Sequence, residues 1–416
     1  MIGSFLTQLI AILAAITSTA QAEATIDAHH YANQTPYGNA ESSAIREAPE
    51  GYRLTFVETV GRHGARTLTS SARERRSLAI WRRAQKADAL TDVGRDFAKD
   101  VAAFQEPEQR IGYGNLSELG AVEWQGIGRR TATLYRELLA GATENGDDIV
   151  FKTSPVQRTV ESADAMREGL ESVVPGLDVG EYVTDAPRLL IGNGASFAGN
   201  RATERALGRP EVVTAATHLL EQMYAPDFVA TIDHPVDAAL DVYLLYSTAP
   251  GLAAETPVTF EPYVPVADAA VLASAVDAEN FYQFGPGVAG EDSSYRAARP
   301  LLDDFLTSLQ ERLAGGSTAA VFRLAHGETT MPFAALLGLP GSDVQATGTF
   351  SYADNPWRGY VAGRLAGNIE WAAYRDARGR ALVTVRHNEQ PVRLSSACRQ
   401  TVPYFYRPAE LERCLT

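Results

Sequence analysis

The sequence predicts an α/β fold: a mostly parallel sheet flanked by helices, with an inserted α-helical cap. Short apolar runs of strand character alternate with longer stretches of helical period, the pattern of a parallel sheet covered by helices. Three of those runs lead straight into polar turns carrying Arg, Ser, His or Glu, at the strand ends where such a sheet places its ligands. The middle of the chain drops the alternation and becomes Ala- and Leu-rich with helical periods.

Taken in order, residues 1–22 read as a signal peptide. Leu9 to Ile16 is apolar but too short to span a bilayer, and Ala20-Gln21-Ala22 fits a cleavage site that gives a mature start near Glu23. The segment before the apolar run carries no Lys or Arg, and a buried N-terminal helix is the alternative. Residues 23–50 are polar and mixed, an ordered arm over the surface. Arg53 to Val60 is the first strand, with Leu54, Phe56, Val57 and Val60 apolar, and it runs into Gly61-Arg62-His63-Gly64. Ala121 to Leu139 is a long helical stretch charged on one side. Asp148 to Lys152 is a second strand, running into Thr153-Ser154. Ser162 to Val174 places Ala163, Met166, Leu170 and Val173 at helical spacing. Residues 166–309 form the mainly helical cap, broken at Gly285-Pro286-Gly287. Ala319 to Ala325 is a third strand, running into His326-Gly327-Glu328. Ile369 to Tyr374 and Ala381 to Val385 make a hairpin about Asp376-Ala377-Arg378-Gly379. The expected division is therefore 1–22 signal peptide, 23–165 first part of the α/β core, 166–309 cap, and 310–416 second part of the core.

A chain of 416 residues suits two or three domains, or one large α/β unit with an insertion. Its 37 Lys and Arg against 51 Asp and Glu give a formal net charge of −14, which argues against a nucleic-acid partner. The two cysteines, Cys398 and Cys414, can pair in only one way in an exported protein, and are expected to staple the C-terminal tail to itself. No Cys/His cluster and no HExxH stand in the sequence, so no metal is expected. Nucleotide cradles lack their glycine pattern too; Gly192-Asn193-Gly194 does not make one.

The strand ends hold the chemistry. Arg62-His63-Gly64-Ala65-Arg66 packs two guanidiniums around an imidazole. Arginine suits bidentate contact with phosphate or carboxylate oxygens. Positive neighbours keep a histidine neutral, so a ring nitrogen retains its lone pair for nucleophilic attack. Alone, the motif could be a solvated basic turn. Arg158 opens a helix after the second strand, where a cation opposes the helix dipole unless an anion uses both. In His326-Gly327-Glu328-Thr329-Thr330-Met331-Pro332, a threonine is expected to cap a helix with Pro332 in its first turn. His326 can donate to an oxyanion there, and Glu328 can protonate a leaving group.

Together these residues resemble a histidine acid phosphatase, whose pattern is Arg-His-Gly-x-Arg-x-Pro, an isolated middle arginine, and a late His-Asp or His-x-Glu. Leu68 stands at the proline position. His326-Gly327-Glu328 resembles the His-Ala-Glu form of the multiple inositol polyphosphate phosphatase branch, as do the segments 281–287 and 385–392. The resemblance implies a histidine phosphatase-like fold and an exported, periplasmic or secreted phosphomonoesterase acting on inositol polyphosphates such as phytate. His63 would become a phosphohistidine, Arg62, Arg66, Arg158 and His326 would hold phosphate oxygens, and Glu328 would protonate the leaving alcohol. No cofactor, nucleic acid or membrane partner is implied, and a monomer is expected. A polyanionic substrate would need basic cap residues, with Arg188, Arg201, Arg205, Arg209 and Arg296 as candidates. The alternatives are a broad-specificity acid phosphatase on sugar phosphates or bisphosphoglycerate-like molecules, a phosphotransferase, or a non-catalytic phosphate binder.

Overall fold

In the computed structural model, which describes residues 30–38, 46–184, 187–191 and 197–416, a seven-stranded mixed sheet carries the molecule. The signal peptide expected over 1–22 and the Gly192-Asn193-Gly194 turn lie outside the described residues. The strands are β1 (Tyr52–Arg62), β2 (Asp148–Thr153), β3 (Thr318–Ala325), β4 (Asn368–Asp376), β5 (Ala381–His387), β6 (Gln390–Val392) and β7 (Phe405–Tyr406). The spatial order is β2-β3-β1-β4-β5-β6, with β7 paired to β5. β2, β3 and β1 run parallel, so all three motif-bearing strand ends emerge on one side. β4 is antiparallel to β1 and forms the foreseen hairpin with β5.

The parallel strands are largely buried because helices cover both faces. On one side the helices Glu118–Leu134 and Gln157–Glu171 place Trp124, Ile127, Met166 and Leu170 against Val57, Phe151 and Phe322. These helices cross closely enough that a Cβ on Gly128 would lie 2.3 Å from the Met166 carbonyl. On the other side Phe305 and Leu309 of the helix Arg299–Leu313 pack on Phe56, Val60 and Trp371. A charged cluster is built into that face: Arg323 on β3 is buried and pairs with Glu58 of β1 at 3.0 Å and with Asp304 at 2.8 Å, and Lys152 of β2 reaches Asp304 at 2.9 Å.

A separate apolar core joins the helices Pro210–Met223, Pro235–Thr248 and Val266–Phe284. Phe97, Val101 and Phe104 of the helix Asp92–Ile111 belong to this core as well. Residues 72–111 therefore pack with the middle of the chain, although the sequence division leaves them in 23–165. The cause is their apolar stripe, which has no strand beside it and finds Leu219, Met223 and Phe260 instead.

Where it is described, the N-terminal arm is built into both cores rather than laid over the surface. Ala32 is buried in the helical core and Tyr37 in the sheet core. His30 O accepts the Tyr243 hydroxyl at 2.7 Å, Thr35 O accepts the Leu365 N–H at 3.2 Å, and Pro36 O accepts Arg364 Nη2 at 2.8 Å. Cys398 and Cys414 form a disulfide, closing the C-terminal helix Pro408–Leu415 onto the preceding loop. Among the described residues no helix is long and apolar enough to cross a membrane.

Candidate active site

The turn after β1 is fixed by its backbone. Arg62 N–H donates to Gly367 O and His63 N–H to Ala325 O, each at 2.9 Å. Gly64 N–H meets Ser162 Oγ at 3.2 Å, Ala65 N–H meets Glu123 Oε2 at 2.8 Å, and Leu68 N–H meets Glu108 Oε1 at 2.6 Å. A Cβ at Gly64 would sit 2.4 Å from the Gly120 carbonyl oxygen, so only glycine lets the turn lie this close to the helix. Glu123 also accepts Tyr37 N–H at 2.6 Å, tying the N-terminal arm to the same turn.

His63 Nδ1 lies 2.9 Å from the Gly64 carbonyl, which can only accept. Nδ1 therefore carries the proton and Nε2 keeps its lone pair. Burial holds the ring's pKa well below the ordinary histidine value, and Arg62, Arg158 and Arg66 push it the same way.

The three arginines converge from separate stretches. Arg62 Nη1 donates to Asn33 O and, at 2.5 Å, to Gly363 O. Arg66 Nη1 donates to Thr67 O at 2.6 Å, and Arg158 Nη2 lies 3.2 Å from His326 Nδ1. Among the described residues none of them pairs with a carboxylate, and the Nε of each is buried without a partner. Burial lowers Arg62 to about 10, with Arg158 acting in the same sense. Burial and the other two guanidiniums lower Arg66 to about 9. Guanidiniums stay charged at neutral pH, so these shifts mark a cluster that an anion would stabilise. The chain's −14 thus lies outside a positive pocket.

His326 stands with its ring centroid 5.7 Å from that of His63, edge-on. Its Nδ1 faces Arg158 and its Nε2 is 2.8 Å from Ser154 Oγ. Burial and then Arg158 lower its pKa to about 4, so it is neutral. Glu328, two residues on, is held below the ordinary carboxyl value. Burial raises it, but its own backbone N–H, Arg62, His326 and Arg66 together outweigh that. The helix Gly327–Leu336 starts directly after His326, whose backbone is still extended, so neither threonine caps it. Thr329 Oγ1 instead donates to Leu189 O at 2.9 Å. Pro332 lies inside this helix rather than in its first turn, because the helix begins earlier than the Thr-Thr pair suggests.

Other sequence-marked residues fall elsewhere. Glu389 pairs with Arg130 at 2.7 Å, and Asn388 Nδ2 donates to Val361 O at 2.9 Å, so this turn braces the 361–368 loop from behind. Among the cap candidates, Arg188 pairs with Asp304, Arg209 with Glu211, and Arg296 with Asp292. Sequence reasoning missed Glu108 and Glu123, and it gave no role to Ser154 and Ser162, which bound the second strand-end motif. Their only signal is a polar residue on an otherwise packed helix or strand end, which reads as a solvent face.

Residues 53–183 match the family model of the histidine phosphatase superfamily, branch 2, and that span holds His63 and all three arginines. The chain is a phosphatase enzyme. Among solved structures, the chain resembles the Bifidobacterium longum multiple inositol polyphosphate phosphatase in complex with inositol hexasulfate. Identity is 27%, coverage 93% of this chain and 97% of that one, and the TM-score 0.87. The D. castellii phytase shares the fold at 13% identity, 93% and 84% coverage and a TM-score of 0.66. The Hafnia alvei phytase in complex with myo-inositol hexakis sulphate does so at 15% identity, 88% and 97% coverage and a TM-score of 0.56. No curated protein sequence shows a significant match to this chain.

Proposed function

We propose that this histidine phosphatase hydrolyses inositol polyphosphates such as phytate through a phosphohistidine at His63. The observation that carries the reading is the Nδ1–H contact to Gly64 O, which leaves a neutral Nε2 nucleophile among three arginines whose Nε atoms are buried without a protein partner among the described residues. Nε2 attacks phosphorus, an N–P bond forms and the P–O bond to the inositol carbon framework breaks. The leaving oxygen takes the proton of the Glu328 carboxylic acid. Water then attacks the phosphohistidine, Glu328 takes the water's proton, and the N–P bond breaks to release inorganic phosphate. Arg62, Arg66 and Arg158 stabilise charge on the equatorial oxygens, with His326 on the same wall holding Arg158 in place. The chemistry asks for no metal, since the arginines supply the positive charge.

Likeness across nearly the whole chain to a protein solved with inositol hexasulfate supports this substrate class. One observation favours the broader alternative, a phosphatase of sugar phosphates or bisphosphoglycerate-like esters: three of the five candidate cap arginines are already taken by internal carboxylates. Export to the periplasm or beyond is part of the proposal, supported by the residue 1–22 pattern and the disulfide. The deciding experiment is phytate hydrolysis with chromatographic separation of the products, run beside His63→Ala. Stepwise loss of phosphate that vanishes in the variant is expected. Turnover retained in His63→Ala sinks the nucleophile. Activity confined to small phosphomonoesters sinks the inositol polyphosphate reading.

A further inference from the structure

Two carboxyls lie buried behind the arginine turn, one on each of the helices Ala72–Lys86 and Asp92–Ile111. Glu74 and Glu108 are both 0% exposed. Glu108 Oε1 accepts Leu68 N–H at 2.6 Å, and Glu74 Oε2 accepts the Tyr113 hydroxyl at 2.8 Å. The other two oxygens, Glu74 Oε1 and Glu108 Oε2, are buried and find no donor among the described residues, and the two carboxyls lie close enough to act on one another. Two carboxyl oxygens bond only through a proton between them, and two like charges do not both persist in a dry site. The groups facing the pair are Tyr113, which donates to Glu74, and Arg66, whose charge acts on Glu108.

One peptide plane connects this pair to the pocket. The Thr67–Leu68 peptide gives its N–H to Glu108 and its carbonyl oxygen to Arg66 Nη1, at 2.6 Å on each side. We propose that Glu74 and Glu108 share one proton, and that this acid–carboxylate pair positions Arg66 by fixing the plane of the Thr67–Leu68 peptide. The pair leaves one negative charge behind Arg66 without an ion-pair contact to it, so the guanidinium stays open to a ligand. Burial, reinforced by the neighbouring Glu74 carboxyl, lifts Glu108 to about 9, which keeps the shared proton in place at neutral pH.

The inference rests on the phosphate-binding role proposed for Arg66, and its test is kept separate from turnover. Inorganic phosphate binding to the full-length protein is measured by calorimetry. Glu108→Gln keeps an acceptor for Leu68 and offers an amide N–H to Glu74, so binding should stay within about twofold of wild type. Glu108→Leu removes both contacts, and binding should weaken about tenfold. Equal binding in wild type and a folded Glu108→Leu overturns the inference, as does a Glu108→Gln variant as weak as Glu108→Leu. Infrared spectra decide the shared proton even if Glu108→Leu does not fold: wild type at pH 7 should show a protonated-carboxyl band that Glu108→Gln lacks. Its absence from wild type overturns the proposal. An Arg66→Ala control separates the two readings. Unchanged phosphate binding there removes the role given to Arg66. Weakened binding there, beside unchanged binding in Glu108→Leu, removes the positioning role alone.

Discussion

Arg158 Nη2 lies 3.2 Å from His326 Nδ1, and a guanidinium can only donate. Nδ1 of His326 is therefore an acceptor, its proton sits on Nε2, and Nε2 donates to Ser154 Oγ at 2.8 Å. The histidine is a relay that holds an arginine in place, and its tautomer is set by a serine at the end of β2. Ser154→Ala should free that tautomer and cost about 1 kcal/mol, roughly fivefold in phosphate affinity. Titration of the folded variant with inorganic phosphate checks it, and an unchanged affinity would show that Arg158 needs no such support.

Glu328 should matter most where the leaving group is poor. Glu328→Gln is expected to slow hydrolysis of an alkyl phosphate such as phytate far more than that of p-nitrophenyl phosphate, whose phenolate departs without help. Comparison of kcat on the two substrates is the measurement. Equal slowing removes Glu328 as the acid.

The pH dependence follows in sign. His63 is depressed far below the ordinary histidine range, so its nucleophilic form persists as pH falls. Glu328 is also depressed, so its acid form is lost as pH rises through the carboxyl range, and a bound phosphate dianion offsets the arginines and shifts that loss upward. The rate on phytate should peak at acidic pH and decline toward neutrality. A pH–rate profile with its maximum above pH 7 would contradict Glu328 as the acid.

Gly64 carries a packing constraint distinct from the chemistry. A Cβ there would sit 2.4 Å from a backbone oxygen of Gly120, and backbone cannot swing aside as a flexible side chain does. Gly64→Ala should lose about 1–3 kcal/mol of stability, or more, and most of its activity, since His63 is the adjacent residue. Denaturant unfolding and phosphate release from p-nitrophenyl phosphate report the two effects.

The disulfide is expected to act on stability alone. Cys398 and Cys414 are 16 residues apart, for which loop closure predicts about 3 kcal/mol. The double variant Cys398→Ala/Cys414→Ala should show that loss in urea, with phosphate release per folded molecule unchanged.

Much of this was legible in the sequence. The strand ends at 62, 153 and 325 stand out because a parallel sheet writes near-continuous apolar runs and then breaks them with charged residues. The six pocket residues share those breaks, and the structure gathers them. The supporting groups were not legible. Glu123 and Glu108 look like solvent-facing helix positions, and only the fold reveals that each accepts a backbone N–H from the arginine turn. Residues 72–111 gave no sign of joining the middle helices, because an apolar stripe states that a face is buried but not against what. The helix start at Gly327 was misplaced because the threonines look like caps, whereas the end of β3 itself opens the helix.

The N-terminal arm has a consequence for synthesis. Arg62 is held by Asn33 on one side and by Gly363, 301 residues further along the chain, on the other; Pro36 and Arg364 are separated by 328. A nascent chain therefore owns the nucleophile and its arginines long before it owns the segment that seats them. Until the residues around 363–367 are made, Arg62 lacks the Gly363 and Gly367 carbonyls that hold its side chain and its backbone N–H.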